Sequence, residues 1–156
     1  MRHARDFEGD LMAQIGSAKL AERRLHALER EFGSEVILAS VTRILEATEK
    51  QTRAVISEWR DGTYEGTALL DDDGRGHDDI AIRGKVTVSG SSLTVDLKQS
   101  DDEVESFVNS SLANTRSAVL VAISVLLDPE TPKNEGVARA VEILTRPGSI
   151  VNPNPG

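Results

Sequence analysis

The sequence predicts an α+β fold: an N-terminal antiparallel helical hairpin, a three-strand antiparallel meander, a buried apolar helix and a C-terminal strand. Three observations carry this prediction. Between Asp6 and Trp59 apolar residues recur at steps of three or four, the period of a helix face. From Thr63 to Leu97 they alternate with polar ones, the period of a half-buried strand. From Ala118 to Leu127 almost every residue is apolar, which predicts a helix covered on nearly all sides.

Taken in order, Leu11, Ile15, Ala18, Ala21, Leu25, Leu28 and Phe32 form one stripe of a first helix, which Gly33 ends. Ser34 is placed to cap a second helix, and Ile37, Val41, Ile44, Thr48, Val55 and Trp59 extend its stripe to Asp61-Gly62. So short a connection predicts antiparallel helices. Their charged faces, with Glu22, Arg23, Arg30, Glu46, Glu49, Lys50 and Arg53, read as solvated surface. In the meander, Ile80, Ile82, Val86 and Val88 alternate with Ala81, Arg83, Lys85 and Thr87, and Leu93, Val95 and Leu97 with Thr94, Asp96 and Lys98. Residues 99–109 are polar and read as a surface connection. Asn114 or Thr115 is expected to cap the apolar helix, which Asp128-Pro129 stops. Residues 137–144 are expected to form the last strand, and the tail from Ile150 to be extended. The hairpin spans residues 6–60 and the α+β part 61–152 of what is expected to be a single domain, 1–156.

The 156 residues are 38% hydrophobic, enough for a core of their own. Eighteen basic against 26 acidic residues give a formal net charge of -8, which repels phosphate backbones, so no nucleic-acid partner is expected. Without cysteine there is no disulfide, thiolate metal site or cysteine nucleophile. Neither a signal peptide nor a membrane span is read, so the expectation is a cytoplasmic chain with no membrane partner.

No recognisable catalytic set emerges. Asp71, Asp73 and Gly76 occupy positions one, three and six of a calcium loop, but Ile82 stands where a bidentate carboxylate is needed and Arg75 replaces another ligand. A solvated hairpin turn is the better reading, and no metal is expected in this chain. His3, His26 and His77 each lack a second nitrogen ligand at metal spacing, so surface histidines are expected; His77 beside Asp78 is an exposed pair. There is no Gly-x-Ser-x-Gly elbow and no phosphate loop. The polar residues that border buried elements are Thr115-Arg116 and Asn134-Glu135, where anchoring of a loop or partner chain is favoured over a substrate pocket.

An ordered series of short motifs then lines up with a known family. Gly9-Asp-Leu-x-Ala-Gln14, Asp61-Gly-Thr-Tyr64, Leu70-Asp-Asp-Asp-Gly74, Leu93-Thr-Val-Asp96, Asn109, Thr115-Arg-Ser-Ala118, Leu127-Asp-Pro129, Asn134-Glu-Gly136, Pro147-Gly-Ser149 and Asn152-Pro153 resemble the hydantoinase B family over nearly the whole chain. That family includes the B-type half of N-methylhydantoinase, the matching half of 5-oxoprolinase and the large subunits of acetone and acetophenone carboxylases. The resemblance implies an internal portion of a B-type subunit: an excised domain or a split gene product. In this picture ATP and Mg2+ belong to a hydantoinase A-type partner, and a divalent metal to an upstream segment of the B-type subunit. The implied parent is an ATP-dependent cyclic-amide hydrolase, with a ketone carboxylase or a non-catalytic assembly module as alternatives. Its motif positions Asp71, Asp72, Asp73, Asn109, Thr115, Arg116, Asn134 and Glu135 are the substrate or interface candidates; no catalytic residue is assigned. Lys98-Gln-Ser-Asp101 and Phe107-Val-Asn-Ser110 depart from the turns that family members usually carry there.

Overall fold

Gly33 separates the first two helices, α1 (Ala4–Phe32) and α2 (Ser34–Ile56), by a single residue. It sits at φ +80°, a left-handed conformation that glycine adopts without a Cβ penalty. Its N–H donates to the Glu29 carbonyl and its own carbonyl accepts from Ile37, so one residue closes α1 and caps α2. Ser34 is therefore not the cap: it is already helical, and its hydroxyl donates 2.6 Å to Glu29 Oε1. His26 Nδ1 lies 3.3 Å from the other oxygen of that carboxylate. The computed structural model describes residues 4–155; His3 lies outside them.

The chain divides into two compact units, Met1–Arg43 and Ile44–Gly156. In the first, every described side chain of α1 is exposed, including Leu11, Ile15, Leu25, Leu28 and Phe32 of the predicted stripe. An open groove of about 660 Å³, lined by Ala18, Ala21, Leu25, Ile37 and Leu38, takes the place of a closed seam between the helices.

In the second unit the meander forms as expected: β1 (Gly62–Asp72), β2 (Asp78–Ser89) and β3 (Ser92–Asp96), each antiparallel to the next. The fourth strand, β4 (Val141–Leu144), pairs parallel with β3, giving the order β1-β2-β3-β4. Local turn chemistry explains the meander. Gly90 at φ +56° allows the tight β2–β3 connection, and its N–H is held 2.9 Å from Asp61 Oδ1. Half-burial holds for β2 and β3 but not for β1, an edge strand whose side chains are mostly exposed, with Leu70 packing against the core. Ala81, expected to face solvent, is buried because residues 99–102 fold across it: Asp101 N–H donates to its carbonyl and Asp101 Oδ2 accepts from its N–H. Ser100 is buried with it, so this connection is partly interior.

The core joins Ile80, Val88, Leu93, Val95 and Leu97 of the meander to Ile56, Ile123, Leu127, Val137, Ala140, Ile150 and Val151. Three expectations are corrected here. The apolar helix α3 (Leu112–Leu126) is not buried all round: Thr115 and Ile123 are buried, while Val121, Val125 and Leu126 are 65%, 79% and 64% exposed. Its cap is Ser111, whose side chain accepts from Asn114 N–H, so Asn114 and Thr115 lie inside the helix. Residues 135–139 form a short helix, α4 (Glu135–Arg139), ahead of β4, because Asn134 caps it. The tail contributes to the core: Ile150 and Val151 are buried, tied by Ile150 N–H to the Asp101 carbonyl and by Ser110 N–H to the Ile150 carbonyl.

Candidate functional site

The candidate residues gather in two groups, both within the second unit. The first runs through the segment 104–110. Asp71 and Asp72 are exposed, and Asp72 Oδ1 accepts from Gly74 N–H. Asp73 is buried: its Oδ1 accepts from the amides of Arg75 and His77, and its Oδ2 lies 2.8 Å from His77 Nδ1. Asp73, not Asp78, is thus the carboxylate that engages His77. Burial works to raise the Asp73 carboxyl, but the Arg75 and His77 amides and the His77 ring outweigh it and hold it below the ordinary range. Arg75 donates to the Glu105 carbonyl and Ser106 Oγ to the Asp73 carbonyl, fastening the turn to the 104–110 segment.

Asn109 folds that same segment on itself. Its Oδ1 accepts from Val104 N–H, and its Nδ2 donates to the carbonyls of Val104 and Ser106. Thr115, one turn into α3, donates 2.7 Å to the Val151 carbonyl and lies 3.0 Å from Ser110 Oγ. Asp73, Asn109 and Thr115 therefore spend their polar atoms on backbone and neighbouring side chains, closing loops over the core.

The second group joins α3, α4 and α2. Arg116 and Glu135, both exposed, line one cleft of about 300 Å³ with Ser117, Leu120 and Ala138. Asn134 accepts from Gly136 N–H at 2.8 Å and donates 3.0 Å to Thr48 Oγ1 on α2. Gly136 is pressed against the same helix: a Cβ there would fall on the Leu45 carbonyl oxygen and within 2.7 Å of Thr48 Cβ. Asn134-Glu-Gly136 is thus a docking motif for a helix.

Sequence reasoning misses several residues of similar weight. Arg53, read as surface, is half-buried: it donates to the carbonyls of Arg139 and Ser91 and pairs with Glu49. Its only sequence signal is the Glu49–Arg53 helical spacing. Asp101 takes the Ala81 amide and the Arg83 guanidinium, which hold its carboxyl below the usual range against the effect of burial. Arg146 reaches the Ser100 carbonyl and Asp102. Among the described residues, no three His, Asp or Glu side chains gather in a metal-binding group. Nor, among them, is a nucleophile seen paired with a base and an orienting third group.

What the second unit does present is apolar and open. A cavity of about 450 Å³ lies between the sheet and α3, walled by Trp59, Tyr64, Val86, Val95, Val119 and Leu126. On α3, Val121 and Val125 are exposed as well. The profile of one protein family, described as Hydantoinase B/oxoprolinase, matches residues 1–156 in full. The chain belongs to the hydantoinase B/oxoprolinase family. The beta subunit of caprolactamase from Pseudomonas jessenii is 33% identical over 146 residues, covering 93% of this chain and 25% of the relative. The B-type half of a putative D-/L-hydantoinase from Pseudomonas sp. (strain NS671) is 30% identical over 156 residues, covering 93% and 26%. The crystal structure of the ATP-dependent caprolactamase from Pseudomonas jessenii matches with a TM-score of 0.85 at 32% identity, covering 99% of this chain and 27% of that one. Acetone carboxylase, nucleotide-free, shares the fold with a TM-score of 0.73 at 19% identity, over 83% of this chain and 19% of that one. The chain thus spans about a quarter of the length of the curated relatives it matches. This hydantoinase B-type chain contains no helix, among its described residues, long and apolar enough to cross a membrane.

Proposed function

We propose that residues 1–156 form a single internal portion of the large, B-type subunit of an ATP-dependent cyclic-amide hydrolase, and that this portion builds interfaces rather than performing chemistry. The observation that carries the reading is a division of labour among its side chains. The polar motif residues Asp73, Asn109, Thr115 and Asn134 are consumed by internal hydrogen bonds, while large apolar side chains on α1 and α3 stay exposed. A long helix draws most of its stability from packing an apolar face, so a fully exposed stripe on α1 is a surface in want of cover. The remainder of the B-type subunit supplies that cover, and a hydantoinase A-type subunit completes the enzyme.

Two relatives at 33% and 30% identity are named for a lactam and for hydantoins, both cyclic amides, which favours a hydrolase over a ketone carboxylase. The acetone carboxylase likeness, at 19% identity, speaks for the fold alone. In this reading ATP and Mg2+ bind the A-type partner, and a divalent metal belongs to a part of the B-type subunit outside this chain. Asp71, Asp72, Arg116 and Glu135 keep exposed polar ends and are the residues left to meet a partner or substrate. The ATP dependence for which the caprolactamase relative is named supports a cytoplasmic setting.

Domain replacement tests the proposal. Exchanging this chain for the matching quarter of the caprolactamase beta subunit should leave a complex that assembles and still couples caprolactam hydrolysis to ATP. An assembled, folded chimera without any activity would mean that this segment supplies chemistry of its own.

A further inference from the structure

We infer that the outer edge of β1 is a strand-addition site that takes an extended, lysine-bearing segment of another polypeptide. β1 is 11 residues long and ends the sheet order, so it offers one free row of backbone donors and acceptors. Among the described residues no other backbone or side chain hydrogen-bonds to that row. Free edges are ordinarily blunted by proline, lysine, a bulge or shortness. β1 has no proline and no basic residue, and its pairing with β2 runs unbroken from Gly62↔Val88 to Leu70↔Ile80. The opposite edge, β4, has only four residues.

The chemistry of the edge selects its occupant. Tyr64, Ala68 and Leu70 share the face paired with Val86, Ile82 and Ile80, so one face of an added strand meets apolar neighbours. Glu65, Thr67, Leu69 and Asp71 share the other face, where the charges of β1 itself are acidic; the basic residues of that face belong to β2, on the inner side, with Lys85 4.0 Å from Glu65 and Arg83 paired with Asp101. A second copy would bring another acidic β1 and another net charge of -8, whereas a strand with valines on one face and lysines on the other complements both faces. This inference does not depend on which reaction the assembled enzyme performs.

The probe is the end-capped peptide Val-Lys-Val-Thr-Val-Thr-Val-Lys-Val, whose lysines are spaced to meet Glu65 and Asp71. Amide exchange on the whole chain should show protection rising at alternate residues of β1 when peptide is added. Affinity should fall with salt, and N-methylation of alternate peptide amides should abolish binding. Thr67→Lys, and separately Leu69→Lys, should weaken binding several-fold at unchanged melting temperature. Unchanged exchange along β1, or binding indifferent to N-methylation, would overturn the inference. So would protection of β1 that rises with protein concentration alone, since the occupant would then be a second copy.

Discussion

At the scale of single residues, the side chains that most resemble a reactive site are fasteners. Gly136 has no room for a methyl group against α2, so Gly136→Ala should destabilise the fold by about 1–3 kcal/mol, the usual cost of overpacking. Urea denaturation of the variant checks this. Thr115→Val keeps the shape of the side chain but leaves the Val151 carbonyl without its donor, and should cost about 1–3 kcal/mol by the same measurement. Arg116→Ala, at the exposed side chain that follows Thr115 in α3, should fall within about 0.5 kcal/mol of the parent. Acid sensitivity follows from Asp73 and Asp101, both held below the ordinary carboxylate range in the folded state. A depressed folded-state value means that their stabilisation is complete above the ordinary range and is lost as pH falls through it and on to the folded-state value. Melting temperatures recorded down a pH series should therefore decline in acid, and Asp73→Asn should start lower and decline less steeply. Parallel declines would remove Asp73 from the explanation.

At the scale of elements, the sequence is legible where structure is local. The meander is written in alternation and in turn residues such as Gly90, and both belong to a few adjacent positions. α3 departs from expectation because an all-round apolar pattern has two physical causes: burial in the chain's own core, or one face in that core and another kept for a partner. The exposure of Val121 and Val125 excludes the first, and the proposed interface role accords with the second. Ile150-Val151 reads as a tail because the burial of these residues depends on Asp101 and Thr115, far away in sequence. β4 pairs parallel with β3 through a long crossover, which no local signal announces. Of the candidate site, the positions are legible as motifs but their roles are not: Asp73 and Asn109 read as substrate or interface candidates and act as loop closures. The element-level prediction concerns α1. Its exposed stripe gives it little tertiary support, so its amides should exchange far faster than those of β2 in the chain by itself, and slow markedly once the rest of a B-type subunit is added. Equal protection of α1 and β2 in the chain alone would contradict that.

At the scale of the molecule, the chain is a well-cored α+β unit, Ile44–Gly156, preceded by a unit that is almost entirely surface. Internal polar atoms are committed to holding this arrangement, and apolar area is left over for neighbours. That balance accords with the proposed role as an internal portion of a larger subunit, in which catalysis belongs to the assembly. The most direct test is substrate-stimulated ATP hydrolysis by a hydantoinase A-type subunit, alone and with this chain, in the presence of hydantoin, 5-oxoproline or caprolactam, with circular dichroism showing that the chain is folded. The account predicts no stimulation by the chain and stimulation once the remainder of a B-type subunit is added. Turnover by the A-type subunit and this chain alone would contradict it, and would put the reacting groups among the residues described above.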